Sequence, residues 1–409
     1  MHDYFSSDFF VANRARLRQL FSGTAPIVLT ANGLLQRNGD NSYRFRQDSS
    51  FWYMTGIDQP DIWLVMDKNK EYLIIRGRDE VREAFDGRIE SDELARRSGI
   101  TTIFDEKTGW KQLGSRLKRS KHVATLGAAP AYAEWHGFYA NPSRAELLSQ
   151  IKTYNEEVEL LDLREHFKRM RVVKQQEELN ALQAAIDITL DGIKYVSSHS
   201  RLSKYGYEYE VEADLSRQFR RAGSRHAFDP IIASGPRACQ LHNMESDGPL
   251  SADELMVLDV GADVSNYAAD ITRTVAIGEP SRRQQAVFDA VCEVQTYALD
   301  LLKPGVIMLD YEKEVETFMG EKLRELGLIK TIDHEAVRHY YPHATSHFLG
   351  LDPHDVGDYK MALEPGMVLT CEPGIYIPGE GIGIRIEDDV LITADGNTVM
   401  SAALPNQLC

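Results

Sequence analysis

The chain has 409 residues, 43% of them hydrophobic, and a formal net charge of −16. That length calls for two domains with separate cores, one of roughly 150–180 residues and one of roughly 200–250. The acidic balance disfavours nucleic acid and anionic membrane surfaces as partners, since both require clustered Lys and Arg.

The four cysteines, Cys239, Cys292, Cys371 and Cys409, lie far apart with no CxxC spacing, so neither a zinc knuckle nor a disulfide framework is expected, and a reducing cytoplasm fits best. The N-terminal stretch MHDYFSSDFFVANRARLRQLF has scattered charges and no continuous apolar segment, which argues against a signal peptide. No apolar run approaches the roughly 18–20 residues of a membrane span.

In chain order, the first 170 or so residues mix short helices and strands. Asp8 to Phe21 has helical spacing of Phe9, Phe10, Leu17 and Leu20, while Ile27–Thr30, Ile62–Met66 and Tyr72–Ile75 read as strands. Few histidines or carboxylates cluster here, so a covering or oligomerising role is expected. Charged residues crowd between Asn155 and Lys174, placing a boundary near residue 170 and giving domains 1–170 and 171–409.

Beyond the boundary an order of elements recurs. Helices are expected at about 175–197 and 207–222, followed by a hairpin at about 254–277. A third helix opens on the capping box Ser281-x-x-Gln284 and stops before Pro304-Gly305, a fourth runs from Tyr311 to Leu326, and a second hairpin covers about 367–393. Two helix–helix–hairpin halves imply an α+β domain with internal pseudo-two-fold symmetry, preceded by a smaller α/β domain.

The first hairpin carries Asp259 and Asp270, equidistant from a centre between Val264 and Ser265. A turn there makes them direct cross-strand neighbours, and a turn on Ser265-Asn266 shifts the register by two but leaves both on one face. The second hairpin repeats the arrangement, with Glu372 and Glu387 about a midpoint between Gly379 and Glu380, and Arg385 on the same face as Glu387. The stretch Tyr341 to Asp389 adds His343, His347 and His354. Each residue alone has an ordinary structural reading; four carboxylates at mirrored positions beside a histidine loop do not. Burying ionised groups costs several kcal/mol each unless they are paired or bind a metal. Asp259, Asp270, Glu372, Glu387 and His347 therefore make five potential ligands, an oxygen-rich set suited to hard divalent ions, Mn²⁺ above all, with Co²⁺ or Zn²⁺ as alternatives. Four carboxylates exceed the needs of one ion, so two metals sharing bridging carboxylates are expected.

The runs HATSHFLGLDPHDVG, LEPGMVLTCEPGIYI and GIGIRIEDD resemble the C-terminal half of the Xaa-Pro aminopeptidases (aminopeptidase P), members of the pita-bread metallopeptidase group. LDVGA and ADITRT match that family's aspartate segments, and RNGDNSYRFRQDSSFWYMTG resembles its N-terminal domain. The resemblance implies a dinuclear site on Asp259, Asp270, His347, Glu372 and Glu387, bridged by Asp270 and Glu387, with Glu372 also the general base. It implies that His354 contacts the scissile carbonyl or assists proton transfer, that His242 and His343 line the pocket and help stabilise the tetrahedral intermediate, and that Arg385 supports Glu387. Release of the N-terminal residue from peptides with proline second is then the expected activity, in a homo-oligomer, dimer or tetramer.

One departure from the family pattern concerns substrate length: Lys360-Met361 precedes LEPG, where relatives often carry an arginine. A Xaa-Pro dipeptidase (prolidase) would share the five ligands but needs a cation for the proline carboxylate. Creatinase-type and non-catalytic peptide-binding relatives lack ligands that this chain retains, and a methionine aminopeptidase would not usually need so long an N-terminal domain.

Overall fold

A computed structural model describes residues 4–68, 70–78, 80–127, 133 and 137–408; Cys409 lies outside them. The chain divides into two compact units, Phe5–Met170 and a second built mainly from Arg171–Cys409.

The N-terminal unit is a mixed six-stranded sheet in the order Ile103–Asp105, Lys70–Ile75, Ile62–Asp67, Ile27–Thr30, His122–Thr125, Glu159–Asp162. Its central strand Ile27–Thr30 is buried on both faces, so it reads as an apolar run, not an alternation. Helix Ser7–Leu20 contributes Phe9 and Phe10 to an aromatic cluster with Phe5 and Trp52.

In the C-terminal unit, helix Gln176–Ser197 opens on a reciprocal capping box between Gln175 and Glu178, and Glu208–Arg221 packs beside it. Their buried stripe (Ile186, Leu190, Ile193, Val211, Leu215, Phe219) closes on Met256, Leu258, Ile271 and Val275 of the first hairpin as one core. Helix Arg282–Leu301 starts at the expected box, Ser281 and Gln284 each bonding the other's backbone N–H. It packs with Met308–Glu325 over the second hairpin as another core. The fourth helix begins at Met308, about a turn before Tyr311, because Met308 is itself fully buried in that core. Strands Ile231–Ser234 and Gly396–Val399 and helix His334–Tyr340 add to the expected elements.

The hairpin registers place the carboxylates. Leu255–Val260 pairs antiparallel with Ile271–Ala276, setting Asp259 opposite Thr272. The ladder continues through Asp263 opposite Ala268 and Val264 opposite Tyr267 to a two-residue turn, Ser265-Asn266, with φ 52° and 68°. Positive φ at both central residues is the I′ form, whose twist matches that of the strands. The turn thus centres on Ser265-Asn266, so Asp259 and Asp270 are offset by two residues on one face and are not direct partners. In the second hairpin Val368–Cys371 pairs with Asp388–Thr393 and Gly374–Ile377 with Ile382–Arg385, in one continuous register. Its ladder is interrupted between these pairs, where Glu372 and Glu387 stand. The hairpins meet where Glu387 N donates to Thr272 O (3.0 Å) and Arg385 N to Thr274 Oγ1 (3.1 Å).

Candidate metal centre

Asp270, Glu372 and Glu387 stand just outside strand ends, and Asp259 lies one residue before the end of Leu255–Val260. Asp388, next to Glu387, turns to the opposite face and pairs with Arg273 (2.6 Å), Gln295 (2.8 Å) and Ser401 (2.6 Å). Glu387 instead accepts from Thr272 Oγ1 at 2.6 Å. Ligand atoms of Asp270, His347 and Glu387, all buried, lie within 4.8 Å of one another. Glu372 joins them through His347, its Oε1 lying 3.3 Å from Nε2, while Asp270 Oδ2 is 3.6 Å from the same nitrogen.

His347 Nδ1 lies 3.2 Å from the Phe348 carbonyl oxygen, which can only accept, so Nδ1 carries the proton and Nε2 keeps a lone pair. Burial and the neighbouring His354 push its pKa down to about 3, so the ring is neutral. The lone pair therefore points at two acidic side chains with no ring proton between them, an arrangement that a cation would satisfy. His354 stacks on His347, centroids 4.0 Å apart and 9° from parallel, so it presents a ring face to His347.

His343 sits against Tyr341 and Tyr376. Its Nδ1 donates to Ala344 O (2.9 Å) and its Nε2 accepts from the Tyr376 hydroxyl (2.9 Å), which in turn accepts from Arg385 Nη1 (2.9 Å). Burial, then Arg385, lowers its pKa to about 3. With both nitrogens engaged, His343 holds no spare proton. His242 is exposed on the loop after Gly235–Cys239, close enough to His343 to depress its pKa. Arg385 pairs with Asp259 Oδ2, not with Glu387, which it reaches through Thr272 Oγ1 (3.3 Å). The strand break explains the difference: Glu387 leaves the ladder, while Asp259 on the neighbouring strand lies within Arg385's reach.

The carboxylates crowd one another. Burial, then Asp259, Asp389 and Glu372, holds Asp270 well above the usual carboxylate range, and burial, then Asp270, Glu372 and Asp259, does so for Glu387. Burial also raises Glu372, against the pull of Arg385. Asp259 Oδ1 and Asp389 Oδ1 are buried without a hydrogen-bond partner. An uncompensated buried oxygen costs about 1–3 kcal/mol, more when charged; this donor set fits divalent cations.

Sequence reasoning missed the residues that hold the loops. Glu312 accepts from Thr345 N (2.9 Å) and Ser346 N (3.1 Å), fixing the segment between His343 and His347. Glu208, fully buried, accepts from Ser234 N (2.6 Å), Arg237 Nε (2.9 Å) and Gly248 N (2.8 Å), closing the loop that bears His242. Asp389, whose Oδ2 accepts from Asp270 N (3.2 Å), was legible only as the second half of the acidic pair after Glu387.

The fold and this site define a metallopeptidase: residues 180–394 match the model of metallopeptidase family M24 and residues 10–125 that of the aminopeptidase P N-terminal domain, and the chain belongs to family M24. It is 32% identical to a Xaa-Pro aminopeptidase of Haemophilus influenzae, over 98% of this chain and 95% of that one, and 31% identical to one of Escherichia coli, over 99% and 96%. Among solved structures it resembles E. coli aminopeptidase P in a low-pH form (29% identity, TM-score 0.88, covering 98% of this chain and 96% of that one). It also resembles that enzyme with the inhibitor Pro-Leu (30% identity, TM-score 0.86, 98% and 96%).

Proposed function

We propose that the protein removes the N-terminal residue from peptides with proline in the second position, using two divalent ions held by Asp259, Asp270, His347, Glu372 and Glu387, with Mn²⁺ the working metal. The observation that carries this reading is the set of buried, mutually repelling ligand groups around the unprotonated Nε2 of His347. The names and lengths of the relatives support the substrate class, since the chain spans nearly all of both Xaa-Pro aminopeptidases compared. A structure titled as zinc-substituted E. coli aminopeptidase P in complex with product, at 29% identity and TM-score 0.87, supports a divalent centre.

Bound divalent ions would polarise the scissile carbonyl and lower the pKa of the attacking water. Glu372, whose carboxylate borders His347, takes the water's proton and returns it to the prolyl nitrogen as the C–N bond breaks. That nitrogen has no hydrogen of its own and leaves as a secondary amine. His354, on the exposed side of His347, donates to the oxygen of the tetrahedral intermediate; His343 shapes the pocket wall, and His242 closes it. The free N-terminal amine is attracted to the acidic cluster, which fixes cleavage at the first bond.

The three described cysteines are free thiols, which supports a reducing, cytoplasmic setting, and no helix among the described residues is long and apolar enough to cross a membrane. Exposed Val81, Phe85 and Tyr139 on the N-terminal unit support a homo-oligomer.

The test is substrate length. Holding a proline carboxylate next to the cut takes a charge-assisted bond, worth about 1.5–3 kcal/mol or roughly 10- to 150-fold. Lys360, before LEPG, is exposed. A Xaa-Pro-Xaa tripeptide is expected to show higher kcat/KM than the matched Xaa-Pro dipeptide; the reverse order would make the protein a dipeptidase.

A further inference from the structure

Beside the ligand cluster the C-terminal unit buries a second group of charges for which the reaction above has no use. The side chains of Arg171, Lys174 and Asp355 are 3%, 0% and 1% exposed. Arg171 Nη2 bonds Asp355 Oδ1 and also Asp352 Oδ2 (2.9 Å), while Lys174 Nζ lies 3.2 Å from Asp355 Oδ2. Burying such ions is no cheaper than burying apolar side chains of the same size, so the group is read by what it holds in place.

It holds the loop that carries His354. Asp355 follows His354 directly, and its N–H donates to Phe348 O (2.8 Å), one residue beyond His347. The segment therefore folds back on itself, which sets the His354 ring against that of His347. Two glycines leave it no slack. A Cβ on Gly350 would lie 2.1 Å from Asp355 Oδ2, and one on Gly357 would lie 1.9 Å from the Phe348 ring. On the far side, Lys174 N donates to Gly366 O (2.8 Å), so Lys174 is itself fixed at the entry to the second hairpin.

We propose that Asp355, clamped by Arg171 and Lys174, is the positioning residue for His354. It touches neither substrate nor metal in this scheme; it sets where His354 stands, and thereby the hydrogen bond that His354 gives to the reacting carbonyl. The inference rests on the reading that His354 acts on substrate. A displacement of about 1 Å in such a group costs on the order of 10²-fold in rate.

A double-mutant cycle on the metal-loaded full chain tests it, because a group that acts only through His354 has nothing to act on once His354 is gone. Asp355→Asn is expected to lower kcat by roughly 10- to 100-fold with bound metal unchanged, and to cost less than about threefold when added to His354→Ala. Lys174→Met, which leaves Arg171 on Asp355, is expected to give a smaller loss that also vanishes in the His354→Ala protein, and it carries the cycle if Asp355→Asn does not fold. Losses that multiply in full on the His354→Ala background, or that track a loss of metal, would overturn the assignment. His354→Ala measured alone separates this failure from the other one: near-full activity there refutes the role of His354 itself.

Discussion

At the scale of single residues, the account turns on how charges are arranged when no cation balances them. His347 directs an unprotonated nitrogen at Asp270 and Glu372, and burial with like charge raises Asp270 and Glu387 far above ordinary carboxylates. Glu387→Gln keeps the shape and an acceptor for Thr272 while removing a carboxyl that the crowded, buried cluster resists ionising. In the metal-free protein near neutral pH this substitution is expected to raise Tm, since Gln, unlike Glu, gains no charge on unfolding. In the metal-loaded protein it is expected to cut activity by more than the roughly 100-fold typical of lost outer partners, since Glu387 is assigned as a bridging ligand. Calorimetry with and without chelator, beside turnover of a Xaa-Pro-Xaa peptide, measures both. Full activity, or a metal-free Tm that falls, would remove Glu387 from the ligand set.

At the scale of elements, the two hairpins explain why part of the site was legible in the sequence and part was not. Alternation along a strand has a period of two residues, so Asp259, Asp270, Glu372 and Glu387 share a face whichever way each turn closes. The choice between turns at Val264-Ser265 and Ser265-Asn266 depends on two residues adopting positive φ, which leaves no trace in hydrophobic pattern. Capping boxes, being local, announced the helix at Arg282; the box at Gln175 escaped notice because Gln is a less usual cap than Ser. The histidine loops were opaque for a different reason. His242, the His343–His347 segment and His354 are placed by Glu208, Glu312 and Asp355, and all but the last act across 26 or more residues of sequence or from a separate helix, with no periodicity to mark them. Arg385 shows the same limit: its face was readable, but its choice of Asp259 over Glu387 depends on the packing of two hairpins.

At the scale of the whole molecule, the two halves of the C-terminal unit bring together acidic groups that repel one another when ionised, so stability, metal and pH are linked. Burial raises Glu372 to about 8 from 4.5. A carboxyl whose folded-state pKa is raised contributes stability below its unfolded pKa and loses it as pH climbs through the folded value. The metal-free protein should therefore weaken between pH 4.5 and about 8. Metal requires deprotonated ligands and relieves their repulsion, so its stabilising effect should grow over the same range. Thermal unfolding at pH 5.5 to 8 with Mn²⁺ or with chelator gives the difference directly; a metal-induced rise in Tm that stays flat or shrinks with pH would contradict it.

The central claim, that these five side chains exist to hold a pair of ions that perform the cleavage, is met most directly by counting ions against turnover. Chelator-treated protein titrated with Mn²⁺, with bound metal measured by elemental analysis and release of the N-terminal residue from a Xaa-Pro-Xaa peptide followed in the same samples, is expected to saturate at two ions per chain and to reach full activity only there. Saturation at one ion per chain with full turnover would contradict the dinuclear centre, and turnover undiminished after chelation would contradict the metal-dependent reading altogether.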